Sequence, residues 1–545
     1  MGAFNPIPSL AGMGITMVGP TVLEYGADDQ KERHLPGIAS GEVRWCLGLS
    51  EPNAGSDLAS LATRAVVDGD NFVLNGQKIW TSGADRSQWC GAVVRTDPAA
   101  KKREGISFVM LPMDQPGVET RPIKLISGAS PFCETFFNNA MAEKRDLLGD
   151  LNDGWREDVL KLHQEGPIHR IEPAGFHPFW AVIGHPELLE IERDPKRYTN
   201  GPVPVLASDI ALKTRAEQGG EIRTLIHMDA PDHIKYRKLT TDWFRPSSIR
   251  KTQPRMDDLS QQAVTTFEQA GGELDFHVEI AIPYPLHIIL SVLGLPEEDY
   301  PRMLQLTQQL FGASDPDLQR QGTSPEETAA IIHDFNQYFS ALTAKRREHP
   351  SDDLASFIAN GQIDGNAMPD LETLGYYIII ATAGHDTTAA VMSQGIECLA
   401  QNPDQLRRLQ QQPEWIPDAV EEIIRLSSPV KHFMRQAQAD GEIGGQLIAA
   451  GDWLMIAFAA ANLDPRVFEN PVAFDMKRKN LSRHVAFGSG VHFCLGAPLA
   501  RMELCSLFGH LIPRLASLEL AGEATTSKST FVSGHKSLPI RYQLT

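Results

Sequence analysis

Cys494 is the residue whose surroundings say most about chemistry. It stands in the segment FGSGVHFCLG, residues 487–496, directly before an apolar helical stretch from Ala497 to Leu511. Glycines let a backbone turn sharply and approach a flat ligand closely. A thiolate just before a helix has its pKa lowered by backbone N–H groups and the helix dipole, and it can be the single protein ligand of a haem iron. A lone cysteine without such surroundings is usually a buried structural residue.

An acid and a hydroxyl, Asp386 and Thr387, interrupt the longest apolar helical stretch, which we predict over residues 371–401. They belong to the run ATAGHDTT, residues 381–388. Both residue types compete for backbone hydrogen bonds and are poor helix formers. Two interpretations stay open from the residues alone. Either the hydroxyl bonds back by one turn, or the pair has a function that requires it there.

Two further pairs have helical spacing. His233 and Arg237 are four residues apart and share one helix face, from which two donors could clamp a carboxylate. Glu422 and Arg425 are three apart and also share one face. Either pair alone would most simply be an exposed polar face.

Taken together and in this order, these segments resemble the cytochrome P-450 family over about residues 156–545. The resemblance is closest to the soluble bacterial type that hydroxylates terpineol. It implies a mainly α haem-thiolate monooxygenase fold with small β-sheets. One departure is Leu463 in the segment ANLDP, residues 461–465, where the family has an arginine.

The resemblance also implies a role for each site residue. Cys494 is the axial ligand of the haem iron, and Asp386 and Thr387 deliver protons to oxygen at the haem. The remaining residues form two groups. One group contacts the haem propionates and consists of His233, Arg237, Arg435 and His492. The other group forms a structural ion-pair network and consists of Glu422, Arg425 and Arg478.

The implied reaction is the insertion of one oxygen atom from O2 into a C–H bond of a small apolar substrate, terpenoid or hydrocarbon-like. The implied cofactor is haem b, and the implied partners are a ferredoxin and its separate reductase. The sequence leaves the substrate and the position of attack open. A non-catalytic haem-containing binding protein is an alternative, against which the intact Asp386–Thr387 pair argues.

The N-terminal part resembles a different family. The segments SEPNAGSD, residues 50–57, and NGQKIWTSG, residues 75–83, are similar to the middle domain of acyl-CoA dehydrogenases, which are FAD flavoproteins. By this resemblance Ser50, Trp80 and Ser82 contact flavin. Those enzymes also need further helical domains, one of which supplies a catalytic glutamate. We therefore expect an acyl-CoA dehydrogenase fragment that is inactive and binds FAD weakly at most; a remnant of that activity is the second alternative function.

The elements that position these residues change along the chain. We predict an acyl-CoA dehydrogenase-like fragment over 1–155, with a short helical lead-in and a mostly β, barrel-like domain from about residue 45. The haem domain is predicted over 156–545. In the first part Asn75-Gly76 predicts a hairpin turn after the strand 72–74. In the second part amphipathic patterns predict helices over 249–269 and 417–426.

Bulk properties agree with an ordinary globular protein of more than one domain, since the chain has 545 residues and 42% hydrophobic residues. A net charge of −19 argues against binding to nucleic acid. The six cysteines show no CxxC spacing, so neither a zinc site nor a disulfide framework is indicated. We find no signal peptide and no apolar run that could cross a membrane, and we expect a cytoplasmic location.

Overall fold

The structure is a computed structural model that describes residues 13–54, 58–100, 105–124, 132–152, 158–201, 203–217, 223–311, 325–527 and 529–545. The chain divides into two compact units, Met1–Glu157 and Asp158–Thr545. The domain boundary predicted at 155/156 lies outside the described residues, as do residues 55–57 of the SEPNAGSD segment.

The first unit begins with short helices and continues as a sheet. Its helices are α1 (Gly19–Tyr25) and α2 (Asp28–Ser40). Its strands are β1 (Trp45–Gly48), β2 (Arg64–Asp68), β3 (Asn71–Ser82), β4 (Trp89–Arg95), β5 (Ile106–Pro112), β6 (Val118–Ile123), β7 (Phe132–Glu143) and β8 (Leu147–Leu148).

The eight strands form one sheet in the order β6-β7-β3-β2-β4-β5-β8, with β1 paired to β4. Within the described residues the two end strands, β6 and β8, do not pair with each other, so the sheet is open. The expected barrel-like closure is therefore wrong, whereas the mostly β character is confirmed. Alternate residues of the long strands point inward and are buried, among them Phe72, Leu74 and Val109.

The hairpin turn predicted at Asn75-Gly76 is also wrong. Both residues lie inside β3, where the register against β7 shifts between Leu74 and Asn75 as a β-bulge. Gly76 has φ +153°, and a Cβ there would come within 2.5 Å of the Thr63 hydroxyl oxygen. The β2–β3 hairpin instead turns at Gly69, φ +57°, just after Asp68 pairs with Asn71. Glycine is as suitable for a β-bulge as for a turn, because in both the backbone adopts unusual φ values and leaves no room for a side chain.

The second unit is mainly helical. Its helices are α3 (Asp158–Glu165), α4 (His185–Arg193), α5 (Asp209–Glu217), α6 (Asp232–Thr241), α7 (Pro246–Ile249), α8 (Gln253–Ala270), α9 (Pro283–Leu293), α10 (Tyr300–Phe311), α11 (Pro325–Glu348), α12 (Leu354–Ala359), α13 (Asp370–Ala383), α14 (Asp386–Gln401), α15 (Pro403–Gln411), α16 (Ile416–Ser427), α17 (Phe458–Ala461) and α18 (Ala497–Leu511). None of the helices in the described part of the chain is both long and apolar enough to cross a membrane.

Its strands are short. They are β9 (Ile168–Ile171), β10 (Phe179–Val182), β11 (Tyr198–Thr199), β12 (Glu273–Asp275), β13 (Gln362–Ile363), β14 (Asn366–Ala367), β15 (His432–Ala437), β16 (Gly441–Ile443), β17 (Gln446–Ile448), β18 (Trp453–Ala457), β19 (Leu515–Leu520), β20 (Thr525–Thr526), β21 (His535–Ser537) and β22 (Pro539–Leu544). The largest sheet has the order β11-β15-β18-β10-β9.

One continuous core joins the helices of this unit. It includes buried side chains from α8, α9, α13, α14, α16 and α18, among them Phe267, Ile289, Tyr377, Ile423 and Leu507. Helices whose apolar face is this wide lie in the interior of a domain. The helices α13, α14 and α18 in this core carry or adjoin the polar residues singled out above.

Candidate active site

The cysteine loop lies between a 3-10 turn, Gly490–His492, and the start of α18 at Ala497. The backbone N–H of Cys494 donates to the Phe487 carbonyl oxygen at 2.9 Å, which closes the loop. Gly490 has φ +63°, and a Cβ there would stand 2.1 Å from the carbonyl oxygen of Glu192. Only glycine therefore fits where the loop passes α4, and the loop holds Cys494 just before the helix.

Burial and the backbone act in opposite directions on the pKa of the Cys494 thiol. The residue is exposed by surface area, yet enough protein surrounds its sulfur that desolvation raises the thiol pKa. Backbone N–H groups of Gly496 and Ala497, together with Arg237, lower that pKa but do not overcome the desolvation. The helix start therefore acts on the thiol pKa in the expected direction, whereas the net direction in the protein alone is upward because of desolvation. A metal cation at the sulfur would stabilise the thiolate.

Basic side chains converge beside this loop. His233 is buried on α6, and its ring centroid lies 4.1 Å from that of His492. Arg237, one turn further along α6, donates from Nη2 to the Phe493 carbonyl oxygen at 2.5 Å. Burial lowers the pKa of His233 to about 4, with Arg237 adding to the effect. The spacing of His233 and Arg237 predicts that they share one helix face, and in the structure this face lies against the cysteine loop.

Arg435 lies on β15 and is buried with an acidic partner that the sequence did not reveal. Its Nη2 donates to Glu192 Oε1 on α4 at 2.9 Å. Burial raises the pKa of Glu192 to about 7, although Arg435 opposes that rise. Glu192 and Arg435 are 243 residues apart in sequence. No spacing rule connects residues so distant, so only the fold could find the pair.

The predicted helix over 371–401 is broken at Gly384 and His385, between α13 and α14. A Cβ on Gly384 would stand 2.8 Å from Ile289 of α9, so the glycine lets the end of α13 pack closely against α9. Asp386 and Thr387 begin α14 directly after the break. The Thr387 hydroxyl donates to the Ala383 carbonyl oxygen at 2.8 Å, which is the bond back by one turn. The bond back by one turn is therefore present and places the hydroxyl at the start of α14, and it does not exclude a function of the Asp386–Thr387 pair.

Asp386 has a neighbour that sequence reasoning passed over. Its Oδ1 lies 3.0 Å from Nδ1 of His385, while its Oδ2 is buried and has no hydrogen-bond partner among the described residues. A buried carboxylate oxygen without a partner is costly, and such groups are often functional. The signal available in the sequence was a histidine next to the acid inside an apolar helix.

The three residues of the predicted ion-pair network lie together. Arg425 donates from Nε and Nη2 to the two carboxylate oxygens of Glu422, each at 2.7 Å. Arg478 donates from Nε to Glu422 Oε1 at 3.1 Å. Glu422 and Arg425 are fully buried, and Arg425 also donates to the carbonyl oxygens of Asn462 and Pro471. This network joins α16 to the segment that leads to the cysteine loop.

The chain is similar in sequence to known protein families. The family model of cytochrome P-450 matches residues 204–537, and that of the acyl-CoA dehydrogenase middle domain matches residues 46–140. The cytochrome P-450-terp of a Pseudomonas species is 39% identical over 393 residues, which cover 70% of this chain and 92% of that protein. The chain belongs to the cytochrome P-450 family. It is a cytochrome P-450 monooxygenase by its family model and its relatives.

Two further comparisons agree with this assignment. The linalool 8-monooxygenase of Pseudomonas putida is 31% identical, over 70% of this chain and 93% of the relative. The crystal structure of CYP108D1 from Novosphingobium aromaticivorans is 41% identical, with a TM-score of 0.66, over 71% of this chain and 93% of that one. Each of these cytochrome P-450 relatives is covered over more than nine-tenths of its own length.

The family binds haem b, and the donor set of this cytochrome P-450 fits that group. Haem offers an iron and two propionate carboxylates, and the site offers a thiol beside two imidazoles and two guanidinium groups. Among the described residues no carboxylate lies within ion-pair distance of Arg237. The guanidinium is thus available for a carboxylate that the chain itself does not supply.

Two of the three predicted flavin contacts, Trp80 and Ser82, lie near the C-terminal end of the interior strand β3, and Ser50 lies beside the same strand. The backbone N–H of Ile79 donates to the Ser50 carbonyl oxygen at 2.8 Å, which places Ser50 beside β3. Trp80 and Ser82 follow on β3 itself. Trp80 is 53% exposed and has φ +60°, rare for an aromatic residue. Trp80 lies at a register shift of β3 against β7, between Lys78 and Thr81, and its ring meets that of Phe132 edge to face.

Proposed function

We propose that this cytochrome P-450 hydroxylates a small apolar, terpenoid-like substrate, using O2 and two electrons delivered one at a time by a ferredoxin. The balance is RH + O2 + 2 electrons + 2 protons → ROH + water. The observation that carries the proposal is that one unit contains both the Cys494 loop and an acid and a hydroxyl at the start of α14, where an apolar helix is broken. Haem, when bound, supplies the iron at which O2 is reduced and its O–O bond is broken.

The chain's own residues would then perform three tasks. Cys494 would hold the haem iron through its sulfur. Arg237 and Arg435 would supply positive charge to the two propionates, and the neutral rings of His233 and His492 would donate hydrogen bonds to them, although Arg435 already shares its charge with Glu192. Thr387 and Asp386 hold protons for the oxygen that leaves as water. The hydrogen bond from Thr387 to Ala383 keeps its hydroxyl at the helix opening, and the unpartnered Oδ2 of Asp386 is ready to exchange a proton.

The terpenoid class is supported by the relatives and by the side chains of α13. One relative is named for linalool, and a solved cytochrome P-450 from Mycobacterium marinum, 30% identical with a TM-score of 0.65, is in complex with pseudoionone. In α13 the residues before the break are apolar except for Thr382, and Ala383 is exposed although most of that helix is buried. Small apolar side chains at such a position leave room for a hydrocarbon skeleton.

A spectral screen tests this proposal. Monoterpene alcohols, linear alkanes and alkylaromatic compounds would be added to the oxidised protein, and the Soret band followed for displacement of water from the iron. We expect monoterpenoids to give the largest shift and the lowest dissociation constant, and product analysis to show a single added hydroxyl group. Tighter binding of linear alkanes, or no oxygenated product from any bound terpenoid, contradicts the proposal.

The ferredoxin is proposed to bind a basic patch formed by Lys235, Lys238, Lys477, Lys479 and Arg483. Lys235 is paired with Asp364, whereas Lys238, Lys479 and Arg483 are exposed. Lys477 is exposed too and lies 4.6 Å from the Trp415 ring. Because the whole chain is acidic, a local basic patch would steer an acidic partner. Reduction should slow as ionic strength rises, and more in wild type than in a Lys479→Glu, Arg483→Glu variant. A reduction rate that does not change with salt concentration would contradict binding of the ferredoxin at this patch.

A second candidate function belongs to the first unit, where weak FAD binding is favoured by the exposed, strained Trp80. We propose that Ser50, Trp80 and Ser82 contact the flavin ring, without acyl-CoA dehydrogenation. Titration of the protein with FAD should quench tryptophan fluorescence, and Trp80→Ala should abolish the quenching. Trp89, which stacks on Trp45 inside the unit, is the matched control. Purified protein that contains stoichiometric FAD and oxidises an acyl-CoA would contradict the proposal that the first unit is inactive.

A further inference from the structure

Glu192 is a buried acid that faces both Arg435 and the cysteine loop. Its Oε1 accepts from Arg435 Nη2 at 2.9 Å, and the side chains of the acid and the arginine are 2% and 4% exposed. Its Oε2 is buried and has no hydrogen-bond partner among the described residues. A Cβ on Gly488 would lie 3.6 Å from Oε2, so this oxygen faces the glycine loop that carries Cys494. One carboxylate oxygen is therefore held by Arg435, and the other lies unpaired beside the loop.

Arg435 is one of the groups to which the haem propionates are proposed to bind, and Glu192 already occupies it. The guanidinium also donates from Nη1 to the Met434 carbonyl oxygen at 2.9 Å, so an acid and a backbone group fix its orientation. Burial lowers the pKa of His492 to about 2, and the charge of Arg435 adds to that effect. A propionate at Arg435 would bring a second carboxylate to one guanidinium. Two ionised carboxylates that share a buried site repel each other, which favours protonation of one of them.

We propose that Glu192 is a positioning residue for the cofactor: it holds Arg435 in place in the haem-free protein and takes a proton from solvent when a propionate binds the same guanidinium. The proton would go to Oε2, the oxygen without a partner, while Oε1 still accepts from Arg435 as the carbonyl oxygen of the acid. The neutral acid keeps the orientation of Arg435 and no longer competes for its charge. The inference rests on the proposed contact between Arg435 and a propionate, and not on the reaction or the substrate.

The charged groups that face the pair agree with this exchange. Burial raises the pKa of Glu192 to about 7, while Arg435 and the backbone N–H of Ser489 oppose that rise. Burial lowers the pKa of Arg435, while Glu192 and Asp229 oppose that change. Asp229 precedes α6 and has backbone N–H partners of its own. Glu192 is thus an acid whose ionisation is balanced near neutral pH, and a further negative charge at Arg435 would shift it toward the protonated form.

The direction of the pH dependence follows from linkage. A group whose pKa is higher in the haem-loaded protein than in the haem-free protein takes up a proton on loading. Its contribution to haem affinity is complete below the haem-free pKa, about 7 for Glu192, and is lost as pH rises through the higher pKa of the loaded protein. Burial lowers the pKa values of His233 and His492 to about 4 and about 2, so neither ring titrates in this window. The guanidinium of Arg237 stays charged throughout.

Proton exchange on haem binding tests the inference directly. Haem would be added to haem-free protein in weakly buffered solution with a pH indicator, between about pH 6 and about pH 9. Wild type should take up at least about half a proton more than Glu192→Gln at about pH 8, and the difference should vanish at about pH 6. Glu190→Gln, an exposed change on the same helix, should behave as wild type. Cys494 is present in all three proteins, so its proton loss cancels in the comparison. Equal exchange in wild type and Glu192→Gln at every pH overturns the inference.

Haem release separates this role from a purely structural ion pair. The measurement is the rate of haem transfer to an excess of a haem-scavenging protein at about pH 8. Glu192→Gln should release haem no faster than wild type, because the amide resembles the protonated acid. A structural ion pair predicts faster release from Glu192→Gln, and that result contradicts the proposal.

A double variant tests the contact on which the inference rests. Arg435→Gln combined with Glu192→Gln removes the guanidinium without leaving a buried carboxylate unpaired. It should release haem roughly tenfold faster than Glu192→Gln alone, the factor for one charge-assisted hydrogen bond. Equal rates in the single and double variants would show that Arg435 does not bind a propionate, and the inference would fail with that contact.

Infrared spectroscopy of wild-type protein does not depend on the folding of any variant. The spectrum of the haem-free protein would be subtracted from that of the haem-loaded protein at about pH 8. We expect a C=O stretching band of a buried carboxylic acid to appear on loading, and to be missing from the same difference spectrum of Glu192→Gln. Absence of a new carboxylic acid band in wild type overturns the proton uptake.

Discussion

The Arg237 guanidinium donates to the carbonyl oxygen of Phe493 at 2.5 Å, and this bond ties helix α6 to the residue before Cys494. The same guanidinium lowers the pKa of the Cys494 thiol by its charge. One side chain thus contacts the backbone of the cysteine loop and acts on its sulfur. It stands beside the His233–His492 ring pair, where the propionates are proposed to bind.

Arg237→Ala should weaken haem retention, because the variant loses both a propionate partner and a support of the loop. We expect haem to leave roughly tenfold faster, the factor for one charge-assisted hydrogen bond. The measurement is the rate of haem transfer to an excess of a haem-scavenging protein. Lys238→Ala, an exposed change one residue along α6, is the control and should behave as wild type.

Cys494→Ser should abolish the red-shifted Soret band that thiolate ligation gives the reduced CO form. The control is Cys505→Ser, because Cys505 lies on α18 itself and outside the glycine loop. Its spectrum should remain that of a thiolate-ligated haem. Retention of the band in Cys494→Ser would show that another residue is the ligand.

Thr387→Ala should leave haem and substrate binding intact and divert electrons to peroxide, because the hydroxyl at the helix opening is lost. Asp386→Asn should mainly slow turnover, by about a hundredfold at the low end of general acid–base effects. The ratio of hydroxylated product to peroxide checks both. Thr388→Ala removes the neighbouring hydroxyl, which is buried, and should change coupling less. Equal coupling in all variants would contradict a role for the pair.

Glu422→Ala should destabilise the second unit by about 3–5 kcal/mol, since it leaves the buried Arg425 without its carboxylate partner. Urea unfolding followed by circular dichroism measures this free energy of unfolding. Glu414→Ala, an exposed change before the same helix, is the control and should change stability by less than about 0.5 kcal/mol. A loss as small as that of the control would show that the network contributes little.

Deletion of residues 1–154 should leave the Soret spectrum and substrate binding of the haem domain unchanged. The two units have separate buried cores, around Phe72 in the first and Tyr377 in the second. Every motif of the haem site follows residue 230. Loss of haem binding in the truncated chain would mean that the first unit is needed for folding of the second.

The sequence by itself determined the family, the fold class and the residues expected at the haem site. It could do so because these signals are local: a cysteine within a glycine loop, pairs at helical spacing, and an acid beside a hydroxyl in an apolar helix. Each depends on residues a few positions apart, whose relation along one element is set by its geometry.

The tertiary structure decided what depends on distant partners. Arg435 and Glu192 meet because β15 packs near α4, and His385 reaches Ile282 because Gly384 admits α9. Asn75-Gly76 became a bulge rather than a turn because β7 pairs along the whole of β3, an interaction worth more than one turn preference. The net pKa of Cys494 likewise follows from burial by surrounding elements, and desolvation is a property of the fold rather than of the motif.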